Sequence, residues 1–392
     1  MTMHSHPRLR WRLGLALIPL AGLLLGACGG GGDDPTPAGS PDATSATATQ
    51  AVDLRPGAIP TDSGRDDNAD LTGAGATFPA PLYQAWFDEY NHSVAKNVRI
   101  NYQSIGSGGG IQQFTAGTVD FGASDAPMSD EELAAAADTQ HLPTVLGAVV
   151  VTYNLADADV PLRLDGPAVA GIYLGEITKW NDPAIASLNP GVELPGDDIQ
   201  VVHRSDGSGT SFVFTDWLTK VSPEWANRVG ANKNPNWPTG QGGKGNEGVT
   251  NAVRQTPNSI GYVELNYAIE NDLPFANVKN RAGEFITPSI ESTSAAAANA
   301  ALPDDYRVSI TDPEGAGAYP IASFTYLLVP KSSGKCSAMT PLAHFLNWAY
   351  NDPAAAGLAA ELHYAPLPES ARNRVNETLA GITCDGGKPA LG

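Results

Sequence analysis

Strand-like and helix-like hydrophobic patterns take turns along this chain, and glycine- and serine-rich loops stand where one gives way to the other. Val98, Ile100 and Tyr102 alternate with Arg99, Asn101 and Gln103, a period of two that predicts a strand with one buried face. Before it Leu82, Trp86 and Tyr90 recur every four residues, and after it Ile111 and Phe114 open a helical stretch leading to a short strand at Val119-Asp120-Phe121. Residues 145–153 are almost continuously apolar, as in a strand covered on both faces. Residues 199–203 read as a strand, and Phe214, Trp217, Leu218 and Val221 form the stripe of a helix. A strand over 323–329 precedes helices over 341–350, 353–362 and 369–380. This alternation predicts an α/β fold. The Gly/Asn/Pro-rich stretch 232–247 is long for a connection and is expected to be an ordered surface loop or flap.

The first 27 residues stand apart. Arg8, Arg10 and Arg12 precede an apolar run over 13–27 with no acidic residue, the pattern of a signal peptide too short to span a membrane comfortably. It ends in Leu25-Gly26-Ala27-Cys28, similar to a bacterial lipoprotein cleavage box, which makes Cys28 the expected lipidated N-terminus. Residues 28–69 lack apolar periodicity and are expected to be a disordered tether, with a reach of roughly 35 Å for ~40 flexible residues. The export signal implies an oxidising compartment, so Cys336 and Cys384, the remaining pair, are expected to form a disulfide.

With 392 residues and 42% apolar content, the rest of the chain can build two domains with cores. The formal charge is −19, and removing residues 1–27 takes away three arginines and no acids, which makes it −22. Such a field excludes nucleic acid as a partner. The seven histidines, His4, His6, His92, His141, His203, His344 and His363, show no metal-ligand spacing, so neither a metal nor a cofactor is expected.

Three strand-to-helix junctions can serve an anion, because ligands of α/β sheets sit outside the carboxyl ends of strands. The first is Gly73-Ala74-Gly75-Ala76-Thr77-Phe78-Pro79, with Thr77 the expected N-cap and the amides of Thr77 and Phe78 left over. The second is Gly106-Ser107-Gly108-Gly109-Gly110, and the third is Arg204-Ser205-Asp206-Gly207-Ser208-Gly209-Thr210. Each offers hydroxyls and unpaired amides at the positive end of a helix dipole. Neither glycine loop carries a nucleotide signature. Arg204 adds a permanently charged fork that Asp206 can hold in place. Asp125 follows a strand end with no basic neighbour in sequence.

These runs, with Leu71-Thr72 ahead of the first, Val119-Asp120-Phe121-Gly122-Ala123-Ser124-Asp125-Ala126-Pro127, Gly242-Gly243-Lys244-Gly245-Asn246 and Ile260-Gly261-Tyr262-Val263-Glu264, resemble the phosphate-binding proteins of bacterial ABC-type phosphate uptake systems. The resemblance runs from about residue 70 to the C-terminal helices. It implies a class II periplasmic binding protein fold with two α/β domains, residues 70–152 plus 320–392 and residues 153–319. A hinge is then expected near 152–154 and 319–321, with the cleft between the domains. It implies that Thr77, Phe78, Ser107, Ser208, Gly209 and Thr210 donate to one phosphate and that Arg204, supported by Asp206, supplies the positive charge. Asp125 then accepts the ligand's own proton. The implied partners are phosphate and ABC permease subunits with a cytoplasmic ATPase. The implied protein is an exported monomer held at the membrane or cell envelope by its lipid alone.

Three other readings stay open at this level. A phosphatase would use Ser208 as nucleophile, His203 as base and Asp206 as orienter. A different anion, sulfate, molybdate or arsenate, would keep the binding role, and a purely structural surface lipoprotein would bind none.

Overall fold

The computed structural model describes residues 59–156 and 161–392. The expected signal peptide, Cys28 and the first part of the tether lie outside the described residues. From residue 59 the chain is tied down rather than disordered. The Asn347 side chain donates to the carbonyls of Ile59 (3.3 Å) and Pro60 (3.1 Å), Thr61 donates to Asp352 (2.8 Å), and His344 pairs with Asp67 (2.7 Å). These anchors all lie on the C-terminal helices, which local composition cannot reveal.

Eight strands form one mixed sheet. They are β1 (Asn68–Gly75), β2 (Asn97–Ser104), β3 (Phe121–Ser124), β4 (Thr139–Asn154), β5 (Gln200–Arg204), β6 (Gln241–Gly243), β7 (Ser259–Glu264) and β8 (Ala322–Pro330). Their spatial order is β2-β1-β3-β8-β4-β7-β5-β6. The strands β1, β2 and β3 are parallel to one another, as are β5, β6 and β7. β8 is antiparallel to both β3 and β4, and β4 is antiparallel to β7. β4 changes partner along its length, pairing with β8 over 139–148 and with β7 over 149–154.

This topology decides where a ligand can sit. β3 runs with β4 and β7 runs against it, so the carboxyl ends of the two parallel groups converge on the middle of β4. Ser124 at the end of β3 lies opposite Tyr326, itself opposite Pro143, while Glu264 at the end of β7 lies opposite Val149. β4 tolerates this position because residues 141–153 are all buried, the continuous apolar run answering to cover on both faces.

The helices follow the predicted stripes. Helix Ala80–Ser93 buries Leu82, Trp86 and Tyr90 together with Tyr83 and Phe87, and helix Gly209–Val221 buries Phe214, Trp217 and Leu218. Each such side chain contributes roughly 2 kcal/mol by leaving water. Three expectations shift. β3 starts at Phe121, because Asp120 turns its carboxylate back to the Thr72 amide at 2.7 Å. Stretch 232–247 is not a single loop, since it contains β6 and the start of helix Gly245–Gln255. The helix expected from residue 341 starts at Cys336, with Pro341 inside it.

Cys336 and Cys384 are disulfide-bonded across a separation of 48 residues. Replacing both with serine is expected to cost up to roughly 4 kcal/mol, the loop-closure entropy of about 50 residues. Urea denaturation of the two forms measures it, and equal midpoints would refute it.

Candidate functional site

The three glycine-rich junctions meet where the strand ends converge. Thr77, Ser107, Asp125, Arg204, Ser208 and Thr210 are each at most 2% exposed although all are polar. Burial of that many polar groups is tolerable only if each is bonded.

After β1 the chain turns through Thr77 and Phe78 into helix Ala80–Ser93. Thr77 is not the N-cap expected from its position; Pro79 occupies that place without a side-chain bond. The Thr77 hydroxyl instead accepts from Asn246, from the backbone amide at 3.1 Å and from the side chain at 2.8 Å. Among the described residues, no hydrogen bond engages the amides of Thr77 and Phe78. The turn is braced by Tyr267 and Tyr364, which donate to the Thr77 and Phe78 carbonyls at 2.6 and 2.7 Å.

After β2, Gly106 has φ +90°, a backbone that only glycine adopts without strain, and helix Ser107–Thr115 begins. The Ser107 hydroxyl accepts from the amides of Gly209 (3.1 Å) and Asp125 (3.2 Å). The Gly209 amide, expected to stand ready for a ligand, is thus engaged with Ser107. Asp125, just past β3, accepts from the Thr325 hydroxyl of β8 at 2.8 Å. Burial pushes its carboxyl up to about 7, against the lowering effects of the Thr325 hydroxyl, the Arg204 charge and the Ser107 hydroxyl.

After β5, Arg204 is clamped sideways. Its Nε and Nη2 donate to the two oxygens of Asp206 at 2.8 and 2.5 Å, and its Nη1 reaches the Thr210 hydroxyl at 3.1 Å. Asp206 also accepts from the Gly245 amide at 3.0 Å. Burial raises the Asp206 carboxyl, but its bonds to Arg204 outweigh this and hold it below the usual range. Asp206 therefore serves the guanidinium rather than an anion. Ser208 caps helix Gly209–Val221 by accepting from the Ser211 amide at 3.0 Å. The Thr210 amide falls among the first amides of that helix, which have no intrahelical partner.

Bonds cross between the two groups of strands throughout this region. Besides Ser107 to Gly209, the Gly108 amide donates to the Gly207 carbonyl at 2.8 Å, and Lys233 pairs with Glu132 at 2.6 Å. What results is a buried ring of N–H and O–H donors from three helix starts, with one arginine and one opposing carboxylate. It can hold a compact oxyanion that carries a proton.

The arrangement does not fit nucleophilic catalysis. The His203 ring bonds the carbonyl of Arg204 at 3.0 Å and stacks on Trp237 at 4.9 Å, and burial pushes its pKa down. Among the described residues, no hydrogen bond joins Ser208 to His203. The phosphatase reading has no support in this geometry. Nor do the described residues include a group of three or more His, Cys, Asp or Glu placed to hold a metal ion.

Sequence reasoning assigned no role to Asn246, Thr325 or Glu264. Asn246 and Glu264 end the motifs Gly242-Gly243-Lys244-Gly245-Asn246 and Ile260-Gly261-Tyr262-Val263-Glu264, so position in a motif was the available signal. Thr325 carried none. Glu264 is fully buried and bonded to the Asn266 amide (3.0 Å) and Tyr364 (3.2 Å), and burial raises its carboxyl well above the usual range.

Residues 40–353 match the model of a PBP superfamily domain, the class that this sheet and site define. The phosphate-binding protein PstS of Xylella fastidiosa is 46% identical over 301 residues, 76% of this chain and 81% of that protein. PstS of Pasteurella multocida is 46% identical over 312 residues, covering 78% and 88%. The solved structure of the periplasmic phosphate-binding protein PfluDING bound with phosphate shares the fold, with a TM-score of 0.65 at 22% identity, covering 79% of this chain and 93% of that one. The chain belongs to the PstS family of phosphate-binding proteins.

Proposed function

We propose that this protein binds inorganic phosphate outside the cytoplasmic membrane and delivers it to an ABC-type phosphate importer with a cytoplasmic ATPase. Its role is binding, not catalysis. The observation that carries the reading is the convergence of buried donors on one point opposite a single carboxylate. Thr77, Phe78, Ser107, Ser208, Thr210 and Arg204 supply the donors, the Gly209 amide being held by Ser107 at 3.1 Å, and Asp125 is the acceptor. Phosphate near neutral pH carries a proton for Asp125, whereas sulfate carries none, so the acceptor welcomes the first and repels the second. The names of the relatives support the same ligand.

Residues 70–152 plus 320–392 form one lobe and residues 153–319 the other, with the crossovers near 152–154, at the end of β4, and 319–321, just before β8. The partner change of β4 between residues 148 and 149, a few residues before the first crossover, supports this division, and the Val149 amide bonded to the Ile321 carbonyl at 2.9 Å sets the two crossover strands side by side. Bound phosphate bridges both lobes and shifts the population toward the closed form that a permease recognises. Cleavage before Cys28, lipid on its thiol and the tether beyond it hold a monomer at the membrane or cell envelope through the lipid alone.

Titration calorimetry is expected to show tight phosphate binding, weaker arsenate binding and little sulfate binding, and small-angle scattering a compaction with phosphate. Sulfate binding as tight as phosphate would overturn the reading.

A further inference from the structure

We propose that Asn246 is a positioning residue for anion binding, whose side-chain amide sets the direction of the hydroxyl protons on both walls of the site. The proposal rests on the phosphate reading above and deepens it.

A hydroxyl has one proton to give and two lone pairs to receive. The Thr77 hydroxyl receives two bonds from Asn246, through the backbone amide (3.1 Å) and Nδ2 (2.8 Å). The Thr210 hydroxyl receives Arg204 Nη1 (3.1 Å) and Asn246 Nδ2 (3.2 Å). Both oxygens are filled as acceptors, so each proton is left to point at a ligand.

The orientation of the Asn246 amide is itself determined. The Glu264 backbone N–H lies 3.0 Å from Oδ1 and can only donate, so the oxygen faces Glu264 and the NH2 group faces the threonines. Thr77 follows β1 and Thr210 opens the helix after β5, so one fully buried, uncharged side chain governs donors from both lobes. A carboxylate at 246 would reverse the arrangement. It accepts only, so it would draw both threonine protons to itself and away from an anion.

Calorimetry of purified native and variant protein with inorganic phosphate tests this. Asn246→Asp is expected to bind phosphate about thirtyfold more weakly than native protein at pH 8. That ratio should narrow as pH falls, because a protonated carboxyl again carries a donor. A purely structural role would leave the ratio independent of pH, which would overturn the proposal.

If Asn246→Asp does not fold, a cycle decides. Asn246→Ala should weaken phosphate binding in the native background and add nothing in a Thr77→Val, Thr210→Val background. Additive losses would overturn the proposal. Failure of the native protein to bind phosphate would overturn the phosphate reading instead.

Discussion

Asp125→Asn is expected to collapse the preference for phosphate over sulfate by about three orders of magnitude at pH 9, from two effects that add. With the Asn oxygen holding the Thr325 hydroxyl as Asp125 Oδ1 does at 2.8 Å, the NH2 group faces the site, where it cannot accept the phosphate proton, and an unmet buried partner costs roughly 1–3 kcal/mol, about tenfold to a hundredfold. Sulfate gains in the opposite direction. In the native protein sulfate meets a donor at 125 only when Asp125 is protonated, and its carboxyl is pushed up to about 7. Above that pH the native affinity for sulfate should fall about tenfold per unit, roughly a hundredfold by pH 9. In the Asn variant, which always presents a donor, sulfate affinity should not change with pH. Calorimetry with sulfate from pH 6 to 9 reads both curves, and a flat native curve would sink the assignment.

The same group links pH to folding. Its carboxyl rises from 3.8 to about 7 on folding, so the native state holds the proton more firmly than the unfolded chain between those values. Stability should therefore fall as pH rises through that window, with the cost complete above about 7. Glu264, raised by burial as well, acts in the same direction. Asp125→Asn should remove its share of the slope.

Recognition here cannot depend on net charge. The full chain carries −19 by formal count, and would carry −22 without residues 1–27, while the site itself sets Arg204 against Asp206 and Asp125. Oriented N–H and O–H groups must supply the attraction at short range, where each bond has a direction. That explains why so much of the candidate site is legible in sequence. Glycine loops at strand ends, a lone arginine and a carboxylate are local patterns, and the helix stripes at Leu82, Trp86 and Tyr90 or at Phe214, Trp217 and Leu218 are equally local. What stayed hidden is non-local. Thr77 reads as a cap until Asn246, 169 residues away, takes its oxygen. Thr325, whose bond to Asp125 spans 200 residues, sits within an apolar strand and looks like a core residue. The tether reads as disordered up to residue 69 because Asn347, which holds Ile59 and Pro60, is nearly 290 residues downstream.

Gly209→Ala is expected to weaken phosphate binding by about two orders of magnitude while leaving the fold intact, the scale by which a misplacement of about 1 Å can degrade positioned contacts. A Cβ at Gly209 would lie 2.4 Å from Ser107 Oγ and 2.5 Å from Asp125 Oδ2. Both neighbours follow strands of the other parallel group, β2 and β3, and Asp125 Cβ, at 2.7 Å, is not the far end of a flexible chain that could swing aside. Gly209 has ordinary helical backbone, so alanine introduces no backbone strain there. On the proposed two-lobe reading, opening the cleft relieves the clash and closing restores it. The methyl also displaces the Gly209 amide from Ser107 and spreads Asp125 from Arg204, so the donors and the acceptor miss one anion together. Gly357→Ala is the matched control, because that glycine lies within helix Pro353–Glu361 with nothing within 4 Å of its added methyl. The control should bind as the native protein does and gain up to about 1 kcal/mol of helix stability. Gly209→Ala should keep the native melting temperature without ligand and lose both the expected phosphate-dependent rise in it and the expected compaction in scattering. If Gly209→Ala compacts with phosphate like the control, closure at this point is not what creates the site.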